Sequence, residues 1–430
     1  MDKVTVIGAG LAGCEAAWQL SRQGVSVRLV EMKPEKMTPA HSSPLFSELV
    51  CSNSLRSHEL TSAVGLLKEE MRRLDSLIIA CADENKVAAG GALAVDREAF
   101  AADVTRRIES CPDIEIVKAE AVEIPEGETI IATGPLTSDA MAGCIGELCG
   151  NSDFLNFYDA AAPIVTFESI DMDKAYFASR YDKGTADYIN CPMNREQYLA
   201  FWQELKTARE AAVHGFDDRG VFEGCMPIEV MSRRGEDTMR FGPLKPVGIK
   251  DPRTGQESYA IVQLRRDNSA GTLYNMVGFQ THLAFPEQKR VFSMIPGLEE
   301  AEFVRYGVMH RNTYIDSPRL LDRYYRLKTK SSISFAGQIT GVEGYVESAA
   351  SGLLAGLSKA KLVKGEALPD FPKETAIGAL ALYISDESVV SFQPMNINFG
   401  IIAPLDRKVR GKRNKNLEIS QRALNIIENL

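Results

Sequence analysis

A chain of 430 residues with 45% hydrophobic and 25% charged content has the length for two or three domains and the composition of a globular protein. No apolar run approaches the roughly 18 to 20 residues of a membrane span, and a first strand opening at Val4 leaves no room for a signal peptide, so a cytoplasmic location is expected. The net charge of −9 argues against nucleic-acid affinity spread over the whole surface, and the eight cysteines lack the spacing of a zinc site or disulfide scaffold, so no metal is expected.

Val4 to Ile7 reads as a strand, Gly8, Gly10 and Gly13 follow in GAGLAG, and an Ala-rich helix runs from Ala12 to Arg22. The first glycine lets the strand turn sharply, the second lets backbone approach a pyrophosphate, and the third lets the helix pack close to the strand. A second strand, VSVRLVE, ends on Glu31, where a carboxylate accepts hydrogen bonds from ribose hydroxyls and repels a 2′-phosphate. Gly8, Ala9, Gly10, Leu11, Ala12, Gly13 and Glu31 are therefore candidate cofactor residues, with FAD or NAD favoured over NADP as the tightly held nucleotide. A strand-to-helix turn without ligand is the competing reading.

An amphipathic helix is expected near Ala63 to Asp83 with Leu66, Leu67, Met71, Leu74 and Ile78 inward, and another over Arg97 to Glu109 capped by Asp96. The strand Thr129 to Ala132 then runs into Thr133 and Gly134, a turn that brings backbone against the cofactor again. This alternation predicts a Rossmann-like, doubly wound α/β fold with a parallel sheet. From about Asp153 to Lys330 the texture changes to shorter strands and Pro-Gly turns, an inserted, smaller α+β substrate domain. The nucleotide fold resumes near Ser331 with a strand Ile333 to Ala336, a turn through Gly337, Gln338, Gly341 and Gly344, and a helix from about Tyr345. A second glycine turn without its own acidic ribose ligand suits the distal ring of a large cofactor, which favours FAD over NAD. The expected division is 1–152 and 331–430 for FAD and 153–330 for substrate. Near the end, DRKVRGKRNK (406–415) sets six cations against one acid, either a solvated tail or a phosphate contact.

Two cysteines stand in polar or basic company. Cys51 lies in SELVCSNSLRS, near Arg56, and Cys225 lies in FEGCMPIEVMSRRG, near Arg233 and Arg234. Neighbouring cations lower a thiol pKa and favour thiolate chemistry, whereas a buried, inert cysteine is the plainer alternative. Cys144 and Cys149 share the CxxxxC spacing of flavin disulfide reductases, but they follow the Gly134 turn and no second complete GxGxxG accompanies them. His310 and Tyr345 are aromatic groups on expected cofactor-facing loops, able to stack on a flavin or pterin ring.

The runs GAGLAGCEAAWQL, MTPAHSSPLFSELVCSNSLRS, GGALAVDREAF, IIATGPLTS, FGPLKPVG, YGVMHRNTY, GVEGYVESAASG and FQPMNINFG, spread over nearly the whole chain, resemble the bacterial folate-dependent tRNA uracil-5-methyltransferases of the GidA-related flavoprotein group. The resemblance implies a methyl transfer to C5 of a T-loop uridine, with FAD as cofactor, 5,10-methylenetetrahydrofolate as carbon donor and NAD(P)H as reductant. It implies Cys225 as the thiolate that bonds the uracil and Cys51 as a partner near the flavin, and the two roles could be exchanged. The target base must leave its stack, so an aromatic or basic surface is expected around the entrance, with His310, Arg233, Arg234, Lys245 and the tail as candidates. No obligate protein partner and no membrane contact are expected. A flavin-containing scaffold that acts with a partner, and a flavin disulfide reductase, are the alternatives.

Overall fold

A computed structural model describes residues 3–38, 40–150, 154–160, 162–182, 185–211, 226–307, 309–389 and 392–430, with side chains left aside at 154–160, 182 and 309–313. Its centre is a six-stranded sheet in the order 326–327, 330–335, 129–131, 4–7, 27–31, 114–118, parallel except for the first pair. Strands buried on both faces read as apolar runs, and VTVI and TII are wholly buried here. Ile7 pairs with Val30 and Ile131, and Ile131 with Phe335, so the turns that follow these strands all open at the same carboxyl edge. That edge is where open α/β sheets bind ligands.

The helix Leu11–Arg22 covers one face and packs tightly on the helix Tyr345–Val363. Arg97–Glu109 forms as expected, with Asp96 accepting from the Ala99 amide at 3.1 Å. The expected single helix over 63–83 is two helices, Ala63–Arg73 and Leu77–Glu84. Asp75 breaks it at φ 54°, and the buried carboxylate of Glu15 takes the Ser76 hydroxyl and the Leu77 and Ile78 amides, so a tertiary partner caps the second start. Burial pushes the Glu15 carboxyl up even with these bonds.

A second, antiparallel six-stranded sheet has the order 176–178, 188–193, 260–266, 273–276, 164–166, 303–305. It carries its own core, around Phe201, Phe279 and Phe292, within residues 162–301. The fold is thus the expected Rossmann-like one with an inserted α+β unit. Tyr314, Ile315, Leu321, Tyr325 and Leu327, all before residue 330, already pack into the first core, because the short strand 326–327 pairs beside 330–335. Among the described residues no helix is long and apolar enough to cross a membrane.

Candidate functional site

The carboxyl edge of the parallel sheet opens into a cleft. Of the expected cofactor residues, Gly8, Gly10, Leu11, Ala12, Glu31, Gly134, Gly337, Gln338 and Tyr345 line it. Ala9, Gly13, Gly341 and Gly344 do not; they shape its walls. A Cβ on Gly13 would stand 1.8 Å from the Gly8 oxygen, and one on Gly341 would stand 2.4 Å from the Phe392 ring, so these positions allow packing. At Gly10, by contrast, an added Cβ meets nothing within 4 Å, and the space in front of it belongs to the cleft.

Both glycine helices begin without a side-chain cap, at Gly10 and at Gly344, so their first-turn amides have no partner within the helix or from a capping side chain. Those donors and the aligned peptide dipoles suit an anion. Glu31, 6% exposed, is held by the amides of Ala9 at 2.6 Å and Lys33 at 3.0 Å, which fixes its carboxylate at the end of its strand. The uncapped helix start at Gly10, the first turn of the second helix at Tyr345 and Ser348, and a fixed carboxylate along one cleft fit a dinucleotide with its diphosphate at the Gly10 helix end.

Lys33, His41, Ser47, Glu48 and Ser348 also line the cleft and were missed by sequence reasoning. The signal for His41, Ser47 and Glu48 was the polar loop HSSPLFSEL after the ribose strand, which carries no spacing rule. Glu48 takes both the Ser42 and Ser43 amides, and against the effect of burial these bonds hold its carboxyl below the usual range. His41, bonded to the Thr38 hydroxyl at 2.6 Å, is pushed down by burial and by the charge of Lys33.

Cys51 sits one residue beyond Val50, a residue of the cleft wall. Its amide donates to the Tyr345 hydroxyl at 2.7 Å, and the Ser52 amide does so at 3.2 Å. Tyr345, expected as a ring stacker, thus also anchors the Cys51 backbone. Arg97 donates to the Leu49 carbonyl at 2.7 Å and to Asp267 at 3.1 Å, while Arg265 donates to the Ser52 hydroxyl at 2.6 Å and to Asn53 at 3.0 Å. The loop is therefore pinned from the first core, the second glycine helix and the second sheet together. Ser47 (φ 51°) and Arg56 (φ 60°), on either side of it, hold left-handed conformations that side chains rarely adopt.

Arg56, expected as the cation beside Cys51, has a different task. Its guanidinium grips both carboxylate oxygens of fully buried Glu347, which also takes the Ile397 amide at 2.9 Å. Arg97, Arg265 and Arg305 surround the Cys51 loop instead; Arg305 is pushed down first by burial and then by Arg97. They come from strands and helices far apart in sequence, which is why local reading overlooked them.

Cys225 lies outside the described residues, as does the side chain of His310, whose backbone belongs to the strand Met309–Ile315 paired with Phe154–Ala160. The chain on either side of Cys225 is described. The Ala211 amide bonds the His282 carbonyl and the Ile228 amide bonds Gln280, both at 2.8 Å. Between them the buried His282 ring bridges Glu210 at 2.8 Å and Glu229 at 2.7 Å. Burial opposes its charge, but the two carboxylates prevail and raise it to about 9.

Arg233 and Arg234 are exposed at the end of the helix Ile228–Arg234, where Arg233 pairs with Glu210. Lys245 is exposed in the loop after Thr238–Phe241. The basic run leads into a helix, Lys412–Ile427; Arg407 pairs with Glu418 at 2.7 Å, and Lys408, Arg410, Lys412, Arg413 and Lys415 are exposed. Cys144 donates to the Val122 carbonyl at 3.2 Å, and neither it nor Cys149 lines the cleft.

The sequence profile described as "Glucose inhibited division protein A" matches residues 3–367. The chain belongs to the GidA family. It is 61% identical over 429 residues to the methylenetetrahydrofolate–tRNA-(uracil-5-)-methyltransferase TrmFO of Acetivibrio thermocellus, covering 100% of this chain and 98% of that protein. It is 60% identical to the protein of the same name from Listeria monocytogenes serotype 4b, covering 100% and 99%. Among solved structures it is similar to GidA of Aquifex aeolicus, with a TM-score of 0.71 at 14% identity, covering 99% of this chain and 73% of that one, a likeness of fold.

Proposed function

We propose that the protein methylates C5 of a T-loop uridine in tRNA, with 5,10-methylenetetrahydrofolate as carbon donor, FAD as cofactor and NAD(P)H as reductant, in the cytoplasm. The family membership and the full-length relatives named for this reaction support the reading. The observation that carries it is the Cys51 loop, bonded through two amides to Tyr345 at the mouth of a cleft built for a dinucleotide. On this reading residues 1–152 and 331–430 hold FAD and 153–330 receive substrate, apart from the strand 326–327 and the residues before it that pack into the first core. Gly8, Gly10, Leu11, Ala12, Gly134, Gly337 and Gln338 then cradle the cofactor and Glu31 its ribose.

Uracil C5 is a poor nucleophile. Addition of the Cys225 thiolate to C6 converts the ring to an enolate whose C5 attacks the one-carbon unit. The methylene stands at the formaldehyde level. Cys51, held against the cleft, takes the C5 proton as the carbon–nitrogen bond to the folate breaks, so that tetrahydrofolate leaves and an exocyclic methylene remains on the ring. A bound reduced flavin would supply the hydride that makes this carbon a methyl group, and elimination at C6 then frees Cys225. His310, Arg233, Arg234, Lys245 and the tail contribute to folate and RNA binding.

Purified protein with tRNA, labelled methylenetetrahydrofolate and NADH or NADPH should give labelled 5-methyluridine by nucleoside mass spectrometry. Cys225→Ala should abolish it while flavin stays bound. A scaffold that depends on a partner would give no methyluridine from purified protein alone, and that result would overturn the proposal.

A further inference from the structure

Phe303, Tyr306 and Phe285 form a ladder of near-parallel rings. Phe303 and Tyr306 lie 5.5 Å apart at 11°, and Tyr306 and Phe285 lie 4.9 Å apart at 15°. Other ring pairs of the second core, such as Phe279 with Phe292 at 83° and Phe201 with Phe279 at 42°, are edge-on or tilted, the usual packing of a closed interior. The ladder is rooted in that core, where Phe303 leans on Phe292 at 6.4 Å, and it ends at the surface, where Phe285 is 50% exposed. It is also rigid. The Gln288 side chain donates to the Leu283 and Gly307 carbonyls and accepts from the Gly307 amide, locking the helix Phe285–Phe292 to the segment that bears Tyr306.

Two exposed cations flank it. Exposed Lys289 lies one turn from Phe285 on the same helix face, and exposed Arg209 is joined to Ala284 by a backbone bond of 3.0 Å. Of the neighbouring acids, Glu287 and Glu204 are both paired with Arg290, and Glu287 also feels the charge of Arg209. Arg209 precedes Cys225 by 16 residues in the sequence, the strand of His310 begins at Met309, and Arg305 reaches across to the Ala40 carbonyl of the cofactor side at 3.2 Å.

We infer that Phe285 is a stacking platform for one unpaired nucleobase of the RNA substrate, with Lys289 and Arg209 contacting the adjoining phosphates. The inference rests on the proposed function and supplies what it lacks. Extruding a target base from a loop leaves its neighbours without stacking, and an exposed ring continuing a rigid stack offers one of them a face. An aromatic platform between cations is the arrangement by which proteins hold single-stranded nucleic acid without reading its sequence.

The test uses full-length, FAD-loaded protein and a T-arm RNA hairpin carrying 2-aminopurine beside the target uridine. The hairpin should be quenched on binding to the wild type. Phe285→Ala should remove the quenching and raise both the hairpin Kd and the KM for tRNA about tenfold, with flavin content and the KM for methylenetetrahydrofolate unchanged. Phe285→Trp should restore binding, and Lys289→Gln should weaken it without removing the quenching. Wild-type hairpin affinity in Phe285→Ala, or a rise confined to the folate KM, would overturn the inference, the second outcome assigning the ring to folate. Hairpin binding is read without methylation. A wild type that binds and quenches the hairpin but forms no methyluridine therefore sinks the proposed function and leaves the platform standing.

Discussion

Gly352→Ala probes the joint that brings the two uncapped helix starts to one cleft. At the crossing of Leu11–Arg22 and Tyr345–Val363, a Cβ on Gly352 would lie 2.2 Å from the Ala12 oxygen and 2.8 Å from its carbonyl carbon. Ordinary contact begins near 3.4 Å, so the helices must part by about 1.2 Å, and because backbone faces backbone no flexible side chain can yield. Overpacking of this kind costs about 1–3 kcal/mol. Ala12 also lines the cleft, so the displacement shifts one row of amide donors relative to the other. Cofactor affinity should fall about tenfold for each 1.4 kcal/mol lost there. Flavin titration and thermal unfolding of the apoprotein measure the two effects separately. Gly143→Ala is the control: it lies inside the helix Asp139–Leu148, its Cβ would meet nothing within 4 Å, and the change should stabilise by up to ~1 kcal/mol. If Gly352→Ala keeps wild-type flavin affinity and unfolding temperature, the crossing does not set the cleft and the reasoning fails.

Tyr345→Phe removes the acceptor of the Cys51 and Ser52 amides, at a cost of about 1–3 kcal/mol; if the loop relaxes instead, a shift of ~1 Å at Cys51 should lower kcat roughly 100-fold with flavin retained. Single-turnover methylation distinguishes these outcomes, and an unchanged kcat and stability would contradict both. Arg56→Ala leaves the buried Glu347 carboxylate without its cation and should cost about 2–4 kcal/mol, below the full figure for a wholly buried pair because Arg56 is 38% exposed; urea unfolding reads it. His282, raised from 6.5 to about 9, binds its proton more tightly folded than unfolded, so its stabilisation is complete below about pH 6.5 and is lost as the pH rises through 9. Melting curves across that range should show an alkaline decline that His282→Gln lessens; parallel curves for the two proteins would count against the carboxylate bridge. Replacing Lys412 and Arg413, both exposed, by Gln should reduce the slope of log affinity for tRNA against log salt by about 2, measured by filter binding, and an unchanged slope would remove the tail from the RNA surface.

Local chemistry makes much of this protein legible in its sequence. The turn at Gly8, Gly10 and Gly13, the carboxylate of Glu31 and the second turn at Gly337 each depend on residues next to one another in the chain, where backbone conformation and short-range spacing decide the outcome. The Asp96 cap was readable for the same reason. Only the tertiary structure decided that Glu15 would split the helix near Asp75, that Arg56 would serve Glu347, and that Arg97 and Arg265 would hold the Cys51 loop. Those partners lie tens to hundreds of residues apart, and no periodicity records which buried charge meets which donor. Burial makes such pairings obligatory, since an unmatched carboxylate or amide inside the protein costs too much to keep, but the fold alone selects the partner.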